Sequence, residues 1–153
     1  VVGRNPLRAC PFVENHDVDA PGNKGLAEAF ITTIPGYPFL YDNHAKPEGS
    51  AFDGGNRNNL VWIANNLAGG ELYFRYDDAN NLIYERYNNL LMGINQSGSQ
   101  TQQWVYTSWR NTTLKDYTGS IGDVTVNGDG WVEVSVPPGG WVALAPYCSD
   151  PPF

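Results

Sequence analysis

Two hydrophobic periods divide this chain. Between residues 23 and 36 apolar residues return every four positions: Leu26, Phe30 and Ile34, with Ala27, Ala29 and Ile31 filling a broad stripe. That spacing predicts an amphipathic helix, with Asn23 placed to cap it and Pro35-Gly36 placed to stop it. Short apolar runs at 11–15 and 37–41 flank it, so the first forty residues read as β-α-β. After an irregular stretch at 42–55, a second helix is predicted over 56–68, with Leu60, Ile63, Ala64 and Leu67 inward and Gly69-Gly70 ending it.

From Glu71 the period falls to two. Strands are predicted at 72–76, 82–87, 90–95, 103–108, 113–116, 124–126, 131–136 and 141–145. Between them lie turn formers: Asp78-Ala79-Asn80, Asn88-Asn89, Ser97-Gly98, Asn127-Gly128-Asp129-Gly130 and Pro137-Pro138-Gly139-Gly140. In the seventh strand Val132, Val134 and Val136 face one way, and Trp131, Glu133 and Ser135 the other. Eight short strands predict an antiparallel β-sandwich, so the fold class is mainly β. The expected division is a strand-helix-strand-loop-helix segment over 1–68 and the sandwich over 69–153.

Composition narrows the partners. Only 16% of residues are charged and the net charge is −7, which disfavours nucleic acid and anionic membranes. No run of about 18 apolar residues spans a bilayer. The chain begins Val1-Val2-Gly3 without a signal peptide or initiator Met, which reads as a processed product or a piece of something longer. Cys10 and Cys148 lie near opposite ends. A disulfide between them would constrain the unfolded state by about 4–5 kcal/mol, and the alternative is two buried free thiols. Neither has a His or Cys partner at metal-ligand spacing, so no metal is expected. Asn95-Gln96-Ser97 and Asn111-Thr112-Thr113 are sequons, making Asn95 and Asn111 candidate glycosylation sites and favouring a secreted, extracellular protein.

Candidate chemistry begins at Phe12-Val13-Glu14-Asn15-His16-Asp17. With the order strand, His-Asp, helix, strand, loop, helix, sandwich, this hexapeptide resembles the last conserved barrel segment of the α-amylase-family glycoside hydrolases. Ile34-Pro35-Gly36-Tyr37-Pro38-Phe39-Leu40-Tyr41 looks like that family's eighth strand with its approach, and residues 84–146 look like its C-terminal sandwich. The resemblance implies that residues 1–68 are a remnant of a (β/α)8 barrel. It also implies that His16 and Asp17 are a sugar-contact pair, His16 donating to hydroxyls and Asp17 gripping those at C2 and C3 as charge develops in the ring.

Hydrolysis needs more than that pair. A retaining mechanism requires a nucleophilic carboxylate and a proton-donating carboxyl group about 5–5.5 Å apart. In the resembled family both lie upstream of this motif, and nothing here matches those segments. Asp77-Asp78 is an adjacent pair in a turn, and Asp129 solvates another. Val18 and Asp42-Asn43-His44 depart from the family's pattern, and His44 is expected to be a loop residue. No catalytic residues and no cofactor are therefore expected.

Trp104, Tyr106 and Trp109 offer a second kind of site, a stacking platform for a pyranose ring; the alternative is core packing. Trp62 is expected to pack on its helix. The leading expectation is a non-catalytic, lectin-like protein derived from an α-amylase, binding carbohydrate or glycoprotein glycans. The alternatives are a fragment of a working α-amylase acting on α-1,4-glucans, and an interaction or storage protein without sugar affinity. Barrel strands without neighbours expose apolar faces and sheet edges, so a homo-oligomer is expected.

Overall fold

The computed structural model describes residues 5–19, 21–41 and 54–149, without the side chains of Leu7 and residues 54–58. A 3-10 turn (Pro6–Arg8) leads to helix α1 (Lys24–Thr33) and helix α2 (Gly54–Asn66). Eight strands follow: β1 (Leu72–Asp77), β2 (Asn81–Arg86), β3 (Leu90–Asn95), β4 (Thr101–Tyr106), β5 (Thr112–Asp116), β6 (Val124–Val126), β7 (Trp131–Val136) and β8 (Trp141–Pro146). The fold is mainly β, as the period-two reading predicts, and each observed strand lies within two residues of its predicted position.

The strands form two antiparallel sheets. One has six strands in the order β1-β2-β3-β8-β5-β6, and the other pairs β4 with β7. Three layers result, with two cores. On one face of the large sheet, Tyr84, Leu90, Met92, Ile94, Ala143 and Ala145 pack against Leu26, Ala29, Ile34, Leu60, Ile63 and Leu67 of the helical layer. On the other face, Ile83, Leu91, Leu114, Val142 and Leu144 meet Val105, Val132, Val134 and Val136 of the small sheet. Because β3 is covered on both sides, all six of its residues are buried. Alternation survives in β7, which has a solvent side.

Gly93 shows how tightly the two sheets approach. A Cβ there would lie 2.7 Å from Val136 Cγ2 and 3.0 Å from Val142 Cγ2, so only a residue without a side chain fits between the stiff valines.

Arg86 ties the helical layer to the sandwich. Its buried guanidinium donates to Thr33 O at the end of α1 (2.6 Å) and to Gly70 O (2.8 and 3.0 Å). A cation there also complements the negative end of the helix. Tyr84 Oη shares a hydrogen bond with Thr33 Oγ1 beside it. Burial raises the Tyr84 hydroxyl's pKa above its ordinary value and lowers that of the Arg86 guanidinium. From α2, Asn59 Nδ2 donates to Tyr117 O (2.6 Å), and Trp62 stacks on the Tyr117 ring at 5.4 Å. Trp62 thus packs between helix and sandwich rather than on its helix alone.

The β-α-β reading is realised only in outline. Neither flank forms a regular strand. They meet in one parallel bridge, Phe12 to Phe39, backed by Tyr37 N donating to Ala9 O and Phe39 N to Pro11 O, both 2.9 Å. A lone pair of parallel segments has no further neighbour among the described residues to extend its ladder. Asn23 stands at the N-cap of α1 but makes no side-chain capping bond, contrary to the expectation for it.

Candidate functional site

The His16–Asp17 turn is built by its own neighbours. Asn15 and Val18 form a small antiparallel bridge, and Asn15 Oδ1 accepts from Asp17 N at 2.8 Å. This throws both site side chains into solvent, where His16 Nε2 lies 3.2 Å from Asp17 Oδ2. Beneath them Glu14 is buried and bonded to Lys24 in the first turn of α1. Of the motif's two carboxylates, Glu14 is therefore an anchor between turn and helix, while Asp17 faces solvent. Asp42, Asn43 and His44 lie outside the described residues.

The second candidate surface lies on the opposite side of the sandwich. β4 and β7 pair in the register Gln102–Ser135, Trp104–Glu133 and Tyr106–Trp131. Their inward positions are Thr101, Gln103 and Val105 of β4 and Val132, Val134 and Val136 of β7, so these six side chains form the outer face. Trp104 is 58% exposed, Trp131 44% and Tyr106 42%. The Tyr106 and Trp131 rings meet edge to face with centroids 5.8 Å apart.

Trp109 is not part of this surface. It is only 8% exposed and packs in the core between the sheets, because β4 has ended at Tyr106 and the chain has turned inward. Trp131 takes the place expected for it. The alternation of β7 points Trp131 outward in the sequence itself, but its position opposite Tyr106 depends on a pairing of strands 25 residues apart (131 minus 106).

Two arginines that sequence reasoning missed brace these rings. Arg75 of β1 lies 5.1 Å from the Tyr73 ring centroid and 5.8 Å from that of Tyr106. It is pinned by Glu85, a fully buried carboxylate that accepts from Arg75 Nε (2.9 Å) and Nη2 (2.6 Å). Glu85 also accepts from the Ser108 backbone and hydroxyl and from Asn88 N. Arg110 lies 4.8 Å from the Tyr106 centroid, donates to its hydroxyl, and is held by Thr107 O (2.9 Å) and Trp109 O (2.6 Å). A charge in a β-strand that appears to be a surface residue in sequence is thus the fixed centre of a ring cluster.

The remaining candidates separate clearly. Asn95 is fully buried and saturated: Nδ2 donates to Ser99 O, Val136 O and Pro137 O, while Oδ1 accepts from the backbone and hydroxyl of Ser97. The folded chain cannot present it to a glycosylating enzyme, so this sequon is structural. Asn111 is exposed, in the left-handed region at φ 48°. Cys10 and Cys148 are both free and both exposed, which corrects the disulfide and the buried-thiol readings alike. Cys148 is engaged locally, its N–H donating to Tyr117 Oη (3.0 Å) with Sγ 3.4 Å from the same oxygen. Burial first, and then the Cys148 contact, raises the Tyr117 hydroxyl's pKa. Among the described residues no helix is long and apolar enough to cross a membrane.

Two helices thus pack on one face of an antiparallel sandwich, and one parallel bridge joins the segments on either side of α1. The comparisons concern this architecture. Residues 90–144 match the family model described as Alpha-amylase C-terminal. In fold the chain is similar to a γ-CGTase from alkalophilic Bacillus clarkii, with TM-score 0.66 and 21% identity, covering 87% of this chain and 25% of that one. It is also similar to wild-type α-amylase I from Eisenia fetida, with TM-score 0.67 and 17% identity over 90% of this chain and 41% of that one. A maltohexaose complex of a mutant of the same enzyme gives TM-score 0.63 and 18% identity over 82% and 35%. No curated protein matches the sequence. The chain therefore resembles the C-terminal part of an α-amylase-family protein, and spans less than half the length of these structures.

Proposed function

We propose that this chain is the non-catalytic C-terminal part of an α-amylase-type protein, and that it binds carbohydrate without cleaving it. The observation that carries this is the pair of exposed indoles, Trp104 and Trp131, beside the arginine-flanked Tyr106, which offers apolar rings next to polar groups. The His16–Asp17 turn supports it as a second place for sugar hydroxyls, since both side chains stand free of the core. Neither place offers two carboxyl groups of the retaining kind: Glu133 is the only acid on the outer face, and Glu14 is consumed by Lys24. The finer picture is a secreted, lectin-like protein, glycosylated at Asn111 and self-associating through its helical portion.

The test is incubation of the purified chain with soluble starch and maltoheptaose. Retardation in a starch-containing native gel is expected, with no release of reducing sugar. Hydrolysis by material of this length, with contaminating longer protein excluded, would end the non-catalytic reading.

A second reading is that the chain works as part of a complete α-amylase. It is favoured by the half-exposed Phe12 and Phe39, which further barrel strands would cover. A coding sequence that continues upstream into such strands, with starch hydrolysis by its product, would decide for it. An interaction or storage role without sugar affinity is the outcome left if no glycan binds.

A further inference from the structure

The geometry points to a specific glycan site: the outer face of β4 and β7, extended by Arg75 and Tyr73, binds a neutral chain of several hexopyranose units. This deepens the proposal that the chain binds sugar, and rests on it for the ligand class alone.

The face combines aromatic rings with neutral and acidic polar groups. Its six outward positions are Gln102, Trp104, Tyr106, Trp131, Glu133 and Ser135, with no aliphatic residue and no lysine among them. A pyranose has an apolar C–H side and a rim of hydroxyls. The first suits an exposed indole or phenol face, and the second suits amide, carboxylate, hydroxyl and guanidinium groups standing beside it. Phosphorylated or nucleic-acid ligands are disfavoured by Glu133 within the face and by the net charge of −7.

The surface is also built in advance. Tyr106 is flanked by two guanidinium groups, each fixed from behind: Arg110 by backbone carbonyls and Arg75 by the buried Glu85. Their ordering cost falls on folding and not on binding, which favours affinity. The row continues past Arg75 to Tyr73 and on to Tyr87, whose ring centroids are 5.7 Å apart. A strip this long contacts more than one sugar, so oligosaccharides should bind better than monosaccharides. The helical layer packs on the far side of the large sheet from this face.

The experiment is affinity electrophoresis of the intact chain against maltoheptaose-containing polymer, dextran and a high-mannose glycoprotein, which separates storage glucan from glycoprotein glycan as the source of the sugar. Trp104→Ala and Trp131→Ala should each weaken retardation about tenfold, and the pair should abolish it; Val61→Ser, an exposed position of α2 away from this face, should retain it. Thermal melts report whether each variant folds. Independently of any variant, saturating maltoheptaose should protect Trp104 and Trp131 of the intact chain from mild indole oxidation. Binding that survives the double Trp variant, or that leaves both indoles unprotected, overturns this site while sugar binding stands. Failure of the intact chain to bind any of the three overturns both.

Discussion

In the helical portion, Phe12 and Phe39 face each other across one parallel bridge and are 48% and 50% exposed. In the sandwich, Trp104 and Trp131 reach similar exposure on strands whose other sides are sealed by valines. Exposure alone does not separate the two cases; what holds the rings does. The phenylalanines rest on isolated segments with few hydrogen bonds, the state of a sheet lacking its neighbours. The indoles lie on a regular six-pair register beside Arg75, anchored by a buried carboxylate, and Arg110, held by backbone carbonyls. The first pattern is apolar surface on a single unextended bridge, and the second is ring surface on a braced, fully paired sheet.

The comparison breaks most severely at Glu85. Replacing it by Ala strands Arg75, which is itself largely buried, and frees Ser108 and Asn88. Loss of one member of such a pair costs about 3–5 kcal/mol. The urea midpoint of sandwich unfolding should fall accordingly, and Trp fluorescence should report a disordered β4–β7 face. An unchanged midpoint would mean that the ring surface is not built on this carboxylate.

Next comes the join between the regions. Arg86→Met leaves Thr33 O buried without its donor, a loss of about 1–3 kcal/mol. Native-state hydrogen exchange should then show α1 amides losing protection while β3 and β8 keep theirs. Equal loss in both would show that the two regions unfold as one unit, and the contrast drawn between them would fail.

How much of this could be read from residues depends on which distances matter. The eight strands follow from alternation and turn formers, which are local. The continuous apolar run of β3 matches its cover on both faces, and the alternating valines of β7 match its single covered face. The cluster around Tyr106 was hidden because its members come from β1, β2, β4, β7 and the loop after β4. Trp109 lies past the end of β4, where alternation no longer fixes a side chain's direction, and the chain there turns inward. Asn95 misled because a sequon specifies three residues and says nothing of burial. The first flank at 11–15 has the apolar content of a strand, but a single parallel bridge, Phe12 to Phe39, is all that forms along it.

A smaller effect sharpens the contrast on the helical side. Phe12→Ser removes a half-exposed ring, so unfolding of the sandwich should shift by less than about 0.5 kcal/mol. Self-association, measured by sedimentation, should drop, because bare apolar surface drives it. Serine at Trp104 should leave self-association where it was. If Trp104→Ser lowers it and Phe12→Ser does not, the assignment of the two surfaces is reversed.

The smallest effect compares one turn from each region as pH falls. In the β1–β2 turn the Asp78 carboxylate accepts from Asn80 N (2.7 Å), from the Tyr76 hydroxyl (2.8 Å) and from Asn81 N (2.8 Å) and its amide. Led by the Asn80 bond, these hold its pKa well below the ordinary carboxylate value, at about 2. A lowered pKa in the folded state means that the contribution is complete above the unfolded value and is lost as pH falls through the folded one. The window is therefore from about pH 4 down to about 2. The turn at His16–Asp17 is closed instead by the amide oxygen of Asn15, which has no proton to gain in that range. Carbon NMR should place the Asp78 midpoint near 2, with Asn80 and Asn81 amides exchanging faster below it. The Asp17 amide should keep its exchange behaviour through the same window, and Asp78→Asn should remove the pH dependence from the sandwich turn alone. If both turns loosen together, the acid response belongs to the whole chain and not to this carboxylate.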